Sequence, residues 1–283
     1  MKVCLKKFDP STMKRHRIIL FVGKRGTGKS ILMNDMLYHF RNLVDFGIAF
    51  SPTEETAESF RRCMPEQWIY SSFDPTKLES MLRMQRNNAK QGRMRDLFLV
   101  MDDCMFDKKV LKGTGIRDLF MNGRHLHLTY FNAMQYVMDM GPDLRTQVDY
   151  VFALRENIIS NKVKLWKYFF GMFENFNDFS KVMDKCTQNY SCIVLDNTKN
   201  SNNVEDCIFW YKASIEVPKF SMGKELYWKM AHSASKTKSE RMRSEVEEMM
   251  KERMKNQTSK KKQPLIVRKE DGYGNIIDDS DSD

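Results

Sequence analysis

A glycine-rich loop carries the clearest chemical signal in the sequence. Residues 23–30 read GKRGTGKS, directly after the apolar run IILFV at 18–22, and they match the pattern G-x-x-x-x-G-K-[ST]. Glycines let the backbone curl until several N–H groups converge on one anion, and the helix that follows adds the partial positive charge of its N-terminus. The sequence therefore predicts a loop that binds the phosphates of a nucleotide.

The residue types within this loop indicate separate roles toward ATP and Mg²⁺. Lys29 would reach the β- and γ-phosphates, and the hydroxyl of Ser30 would bind Mg²⁺. The other loop residues that we expect to contact the nucleotide are Gly23, Gly26, Thr27 and Gly28. The competing interpretation is a flexible glycine turn, but the apolar strand before the loop and the helix after it favour nucleotide binding.

Two adjacent carboxylates follow the most hydrophobic run of the chain. Residues 97–101 read LFLVM and lead into Asp102 and Asp103. At the end of its strand, Asp102 suits the role of Mg²⁺ ligand, and Asp103 suits activation of the attacking water. A bound cation also gives a physical reason for two neighbouring carboxylates. The pair therefore favours hydrolysis, with a polar turn as the competing interpretation.

Three further polar residues could complete a hydrolytic site. Gln135 ends the strand after the acidic pair, and it would hold the attacking water if that strand lies between the loop strand and the acidic strand. Arg124 and Arg145 lie on either side of this strand. Either could stabilise the charge on a γ-phosphate bound by a neighbouring subunit of a ring. Exposed surface positions are the competing interpretation for all three residues.

No second metal site is predicted. His125 and His127 alternate along a strand with no third ligand in view, which favours structural roles. The six cysteines form no C-x-x-C pair. We therefore expect reduced thiols instead of a disulfide framework or a zinc site.

Strand-like and helix-like segments alternate around these motifs. Apolar runs that predict strands lie at 18–22, 47–50, 68–70, 97–101, 127–134 and 148–154, and helical patterns separate most of them, including one at 108–121. Alternation of this kind predicts a three-layer α/β/α fold of the ASCE type of P-loop NTPase, with a mainly parallel sheet of about five core strands. Aromatic-rich helical segments and two more strands, at 192–195 and 208–210, predict a C-terminal extension of the same domain.

Composition divides the chain into three parts. The ATPase domain is expected over 1–234, with the motor core at about 15–160 and the extension at about 161–234. Residues 235–263 hold ten Lys/Arg and five Glu, which predicts a basic charged helix, and residues 264–283 form an acidic tail. The acidic composition of the tail predicts that it is disordered. The helix could contact DNA and the tail could bind a partner, although solvated surface and disorder are the competing interpretations.

Charge and hydropathy limit the classes of partner. The formal net charge of +10 is compatible with a polyanion such as nucleic acid, and equally with a soluble protein that is simply basic. No run approaches 18 apolar residues, and the N-terminus lacks the apolar core of a signal peptide. We therefore expect neither a transmembrane segment nor secretion.

In their order and spacing, these segments resemble the DNA-packaging ATPases of large double-stranded DNA viruses, the poxvirus-type branch of the FtsK–HerA superfamily. The resemblance covers about residues 15–160. It rests on IILFVGKRGTGKS at 18–30, IAFSPT at 48–53, LFLVMDDCM at 97–105, NGRHLHLTYFNAMQY at 122–136 and DLRTQVDYVFALRE at 143–156.

The resemblance implies a ring-forming ATPase that drives viral double-stranded DNA into a capsid. Lys29, Ser30 and Asp102 would then hold MgATP, and Asp103 would activate water where many ATPases of this kind carry Glu. Gln135 would be the polar residue of the next strand, and Arg124 the preferred arginine finger. The implied partners are double-stranded DNA, further copies of the chain and a capsid or portal component. The implied location is a viral assembly site in the host cytoplasm, or the virion.

Other functions remain open from the sequence. A helicase or AAA+-type remodeller should carry a helical lid with a sensor arginine, and no clear one is visible. A GTPase should carry an Asn-Lys-x-Asp segment. Residues 197–200 (NTKN) match it poorly, because they lack the Asp. A nucleotide kinase usually lacks the second acid. A nucleotide-gated scaffold without turnover is the non-enzymatic alternative.

Overall fold

The first 233 residues contain one mixed sheet. The glycine-rich loop and the acidic pair lie at the carboxyl ends of two of its strands. In a computed structural model that describes residues 4–104, 110, 112–136, 140–234 and a few positions beyond, the chain separates into two compact units, 1–233 and 234–283. The strands are β1 (Ile18–Val22), β2 (Phe46–Phe50), β3 (Ile69–Tyr70), β4 (Leu97–Asp102), β5 (Leu128–Met134), β6 (Tyr150–Ala153), β7 (Ser191–Asp196) and β8 (Ile208–Lys212).

The order of the strands explains why distant motifs meet. The sheet runs β3-β2-β4-β5-β1-β6-β7-β8, and the first six strands of this order are mutually parallel. Strand β5 therefore lies between β1, which precedes the glycine-rich loop, and β4, which ends in the acidic pair. This is the arrangement that the expectation for Gln135 required. Strands β7 and β8 continue the sheet in antiparallel fashion, so the C-terminal extension joins the same sheet.

Helices connect the parallel strands. They are α1 (Lys29–Phe40), α2 (Glu54–Arg61), α3 (Pro75–Lys90), α4 (Thr114–Asn122), α5 (Pro142–Arg145), α6 (Ile159–Phe169), α7 (Phe176–Cys186) and α8 (Val204–Cys207), and residues 225–234 are also helical. Within the helix predicted at 108–121, α4 begins at Thr114, after Gly113. Residues 108, 109 and 111 of that prediction lie outside the described part of the chain.

Two clusters of buried side chains fill the space on either side of the sheet. In β1, Ile18, Leu20 and Val22 belong to one cluster, while Ile19 and Phe21 belong to the other, as the alternation of side chains along a strand requires. Helices α3, α4, α6 and α7 pack in the first cluster, and α1 and α2 in the second. The predicted three-layer α/β/α fold is confirmed.

Beyond residue 233 few positions are described. Residues 242 and 250 are helical, and β9 (Lys269–Glu270) pairs in antiparallel fashion with β10 (Ile276–Ile277). The remaining residues of the predicted basic helix and acidic tail lie outside the described part, so both stay predictions. Among the helices that the structure does describe, none is long and apolar enough to span a membrane.

Candidate nucleotide site

The loop between β1 and α1 has a backbone that only glycine adopts readily. Gly26 and Gly28 have φ angles of +74° and +97°, in the left-handed region. Gly23 is constrained by space, because a Cβ there would lie 2.7 Å from Thr27 Oγ1 and 2.8 Å from Leu154 Cβ. The loop shape therefore depends on all three glycines.

Lys29 lies folded into this loop. Its ammonium Nζ donates to the carbonyl oxygen of Gly23 at 2.6 Å and to that of Lys24 at 3.0 Å, and the residue is only 9% exposed. Burial lowers the pKa of Lys29, while the charges of Asp103 and Asp102 act against that shift. The ammonium is thus positioned to exchange carbonyl partners for phosphate oxygens.

Asp102 is a buried carboxylate at the end of β4. It is 5% exposed, and burial raises its pKa, with a smaller contribution from the charge of Asp103. A hydrogen bond with the Thr56 side chain and the charge of Lys29 oppose this rise. Such a group gains from a nearby cation, and Asp102 lines the same cleft as Ser30. A carboxylate and a hydroxyl are oxygen ligands of the kind that Mg²⁺ prefers, so these residues fit that ion.

Asp103 and Gln135 are in direct contact. Gln135 Nε2 donates to Asp103 Oδ2 at 2.5 Å, and the Asp103 N–H donates to the carbonyl oxygen of Ala133 at 3.0 Å. Asp103 has a φ of +52°, which is uncommon outside glycine and marks the sharp turn after β4. The bond from Gln135 fixes the carboxylate at one oxygen, and Oδ1 can still accept a proton or a water hydrogen bond.

The two arginine candidates lie away from the nucleotide loop of their own chain. Arg124 precedes β5, at the opposite end of the strands from the loop, and its Nη2 lies 2.7 Å from Asp149 Oδ1. Arg145 donates to the carbonyl oxygen of Met140 at 2.8 Å, and its guanidinium lies 3.7 Å from the centre of the Tyr168 ring. Neither arginine is among the residues that line the cleft around the loop and the acidic pair, so a role toward a neighbouring subunit stays a prediction for both.

The glycine-rich loop and the acidic pair line one cleft of about 520 Å³. Tyr190 lines this cleft, although it comes from the turn before β7. It is 66% exposed, and its Cδ1 would lie 3.5 Å from a Cβ placed on Gly28. Both Asn189 and Tyr190 have left-handed φ angles, +52° and +62°. Sequence reasoning missed Tyr190 because no local signal connects it with a loop 160 residues earlier.

An ion pair joins the loop to the segment that follows β6. Lys24 Nζ lies 2.9 Å from Oε1 of Glu156, which is 6% exposed. Glu156 also accepts from the N–H of Ile158 at 2.8 Å and from Asn161 Nδ2 at 3.0 Å. Burial acts to raise the pKa of Glu156, but these bonds outweigh it and the pKa is lowered. Glu156 therefore stays ionised and holds the loop.

Comparison with known proteins places the chain among proteins of large DNA viruses. It is 36% identical over 229 residues to the uncharacterized protein L437 of Acanthamoeba polyphaga mimivirus. The aligned region covers 77% of this chain and 80% of that protein. It is also 36% identical over 218 residues to the uncharacterized protein 015R of Frog virus 3, with 76% and 67% coverage. No protein-family model matches the chain.

Two solved structures share the fold. The genome-packaging NTPase B204 of Sulfolobus turreted icosahedral virus 2, in complex with AMPPCP, has a TM-score of 0.51 at 17% identity and covers 71% of this chain and 100% of its own. B204 of Sulfolobus turreted icosahedral virus, a DNA-packaging ATPase, has a TM-score of 0.50 at 16% identity, with the same coverage. The chain therefore belongs to one family with these proteins of large DNA viruses, and it has the fold of the viral genome-packaging NTPase B204.

Proposed function

We propose that the chain is a Mg²⁺-dependent ATPase that moves double-stranded DNA and, as a homo-oligomeric ring, packages a viral genome into a capsid. The observation that carries the proposal is the contact between Gln135 and Asp103, because Asp103 lines the same cleft as the glycine-rich loop. A loop that only binds phosphates does not need a second carboxylate held by an amide. A hydrolase needs such a group beside the γ-phosphate to orient and deprotonate water.

The loop N–H groups and five side chains have separate roles in this chemistry. The loop N–H groups and Lys29 bind the β- and γ-phosphates, and Ser30 and Asp102 hold the metal. Mg²⁺, when bound, would neutralise the phosphate charge that builds up during transfer. Asp103 accepts a proton from the attacking water, while Gln135 keeps the carboxylate oriented. The bond between them also offers a route by which the end of β5 senses the γ-phosphate.

Tyr190 supplies a surface on which the base of the nucleotide can stack. Its exposed ring lies next to Gly28, on the wall of the cleft that also includes Arg25 and Ile31. An aromatic face beside the loop can stack on adenine, and such stacking tolerates any base, because every base has a π-face. We therefore assign the ring to nucleotide affinity, not to a choice between ATP and GTP.

The DNA and ring parts of the proposal rest on charge and on the position of Arg124. The net charge of +10 is compatible with a polyanionic partner. Arg124 is 55% exposed at the end of the sheet away from its own nucleotide. In a ring, that surface can face the cleft of the next subunit, where the guanidinium would stabilise the γ-phosphate.

The test compares ATP turnover of the full chain without DNA, with double-stranded DNA and with single-stranded DNA, together with sedimentation of each mixture. We expect turnover that needs Mg²⁺, rises several-fold with double-stranded DNA and accompanies ring formation. Lys29→Ala should abolish turnover in every condition. A steady ATPase that stays monomeric and ignores double-stranded DNA would remove the packaging part of the proposal, and absence of turnover would remove all of it.

A further inference from the structure

Two histidines and one aspartate meet at the end of the sheet opposite the nucleotide cleft. His16 precedes β1, Asp96 precedes β4 and His127 precedes β5, and these three neighbouring strands are parallel. His16 Nε2 lies 2.6 Å from Asp96 Oδ1, and His127 Nδ1 lies 3.8 Å from the same oxygen. One ligand atom from each of the three residues lies within 4.8 Å of the others.

The backbone holds both imidazoles toward this oxygen. His16 and His127 have φ angles of +59° and +49°, in the left-handed region that few non-glycine residues occupy. Their rings stack with centroids 4.3 Å apart and planes inclined by only 6°. The His16 N–H donates to Thr129 Oγ1 at 3.0 Å, which fixes the turn before β1. The three side chains thus come together through the fold itself, from far apart in sequence.

We propose that His16, Asp96 and His127 bind a divalent transition-metal ion of the Zn²⁺ class. Two imidazole nitrogens and one carboxylate oxygen form a borderline ligand set that suits Zn²⁺, Co²⁺ or Ni²⁺ better than Mg²⁺. With bonds of about 2.1 Å in tetrahedral geometry, ligand atoms lie roughly 3.4 Å apart. The separations of 2.6 and 3.8 Å lie on either side of that value. On binding, the two rings must also turn out of their stacked arrangement, because an imidazole nitrogen binds a metal in the plane of its own ring.

Protonation and neighbouring charge agree with this assignment. Burial lowers the pKa of His16, although the hydrogen bond to Asp96 opposes this shift, and a lower pKa favours the neutral imidazole that metals bind. On binding, the metal takes the position between His16 Nε2 and Asp96 Oδ1, and the single proton of the neutral imidazole moves to Nδ1. Arg15 Nη1 lies 2.9 Å from the other carboxylate oxygen, Oδ2, where it orients the ligand but also reduces the attraction for a cation. We therefore expect moderate affinity.

A metal here would join the turns that lead into β1, β4 and β5, and a fourth coordination position would remain for water. The site is separate from the Mg²⁺ site at the opposite ends of the same strands. It does not depend on the proposed ATPase activity.

The test uses the full chain, freed of metal by a chelator, in buffer with excess Mg²⁺ and no nucleotide. Co²⁺ is the probe, since its visible absorption distinguishes a low-coordinate protein site from the hydrated ion. We expect one Co²⁺ per chain with an intense visible band that one equivalent of Zn²⁺ removes. His16→Asn and His127→Asn should each lose the band and weaken Zn²⁺ binding at least about tenfold. Asn suits the left-handed backbone, so these variants should fold.

His125→Asn is the matched control, because this exposed histidine lies two residues from His127 and outside the cluster. Its Zn²⁺ affinity should stay within about twofold of wild type. The proposal fails if wild type gives only the spectrum of hydrated Co²⁺, a result that needs no variant. It also fails if His125→Asn loses as much affinity as His127→Asn, or if a thiolate-to-cobalt band assigns the ion to cysteine.

Discussion

Gln135, directly after β5, donates a hydrogen bond to Asp103, directly after β4. The bond joins the ends of two neighbouring strands, and β5 is also the neighbour of β1, the strand that leads into the nucleotide loop. Any displacement of Asp103 by a γ-phosphate or its water is therefore transmitted to β5. Under the proposed function, this contact would let Gln135 support catalysis through Asp103 without touching ATP.

Loss of this amide should slow chemistry more than it weakens binding. We expect Gln135→Ala to lower kcat by about 10- to 100-fold, because the carboxylate loses the donor that orients it, and to leave KM within about twofold. Steady-state ATPase assays measure both constants. Gln91→Ala, at an exposed position after α3, is the control and should behave like wild type. An increase in KM at unchanged kcat would show that Gln135 binds ATP and does not support Asp103.

Removal of the Tyr190 ring should reduce affinity for nucleotides but not for phosphates. Tyr190→Ala should weaken ATP binding about tenfold, in the range of one lost stacking contact, while Tyr190→Phe stays close to wild type. Inorganic tripolyphosphate, which has no base, should bind both variants equally well. Competition against a fluorescent ATP analogue measures all these affinities. Equal weakening for tripolyphosphate would show instead that Tyr190 shapes the loop around Gly28.

The residues that sequence reasoning found and missed differ in a physical way. The places of Lys29 and Asp102 can be predicted from neighbouring residues, because the apolar strand before each one puts it at the carboxyl end of that strand. Gln135 needed one further step, the strand order, and the sheet confirms that β5 lies between β1 and β4. Tyr190 and Glu156 act on the loop only through tertiary contacts, which no local spacing encodes.

The histidines show the same limit. His127 and His125 alternate along the chain, and that spacing offers no third ligand. In the fold, His127 stacks on His16 and shares Asp96 with it, residues that lie 111 and 31 positions earlier in sequence. The meeting of three strand ends creates the cluster, so only the strand order reveals it.

Disruption of the Lys24–Glu156 pair should loosen the loop. Glu156→Gln should lower the free energy of unfolding by about 1–3 kcal/mol, since it leaves buried donors poorly satisfied, and should raise KM for ATP. The pKa of Glu156 is lowered from its ordinary 4.5, so its ionised form stabilises the fold above that pH. The difference between wild type and variant should therefore be largest near neutral pH and shrink as pH falls below 4.5.

Urea unfolding at several pH values measures this difference. Glu66→Gln is the control, because the Glu66 side chain is 74% exposed, and it should change little at any pH. A Glu156→Gln variant as stable as wild type at neutral pH would show that the ion pair does not hold the loop.

Asp102 should oppose folding when no metal is present. Burial raises its pKa above the ordinary 3.8, so the wild-type protein without Mg²⁺ loses stability as pH rises through that raised value. Asp102→Asn should consequently have a higher Tm than wild type at neutral pH without Mg²⁺, by roughly 2–4 °C for each kcal/mol relieved. MgATP should then stabilise wild type but not the variant. Thermal unfolding with and without MgATP tests both statements, and a lower Tm for the metal-free variant contradicts them.

Arg124 should act on a neighbouring subunit. Alone, Arg124→Ala and Lys29→Ala should each be inactive, but a mixture should regain part of the ATPase activity, because an intact loop in one subunit meets an intact arginine in the next. Arg145→Ala in place of Arg124→Ala tests the alternative finger. No recovery for either mixture, with rings shown by sedimentation, would exclude both arginines from the trans role.

The most direct test of hydrolysis through Asp103 is single-turnover cleavage of ATP by the full chain with Mg²⁺ and double-stranded DNA, for wild type and Asp103→Asn. Asn keeps the shape of the side chain but cannot accept the proton from water. We expect Asp103→Asn to bind ATP within about threefold of wild type and to cleave it at least about 100-fold more slowly. Cleavage by Asp103→Asn at the wild-type rate would contradict the assignment of Asp103 as the group that activates water.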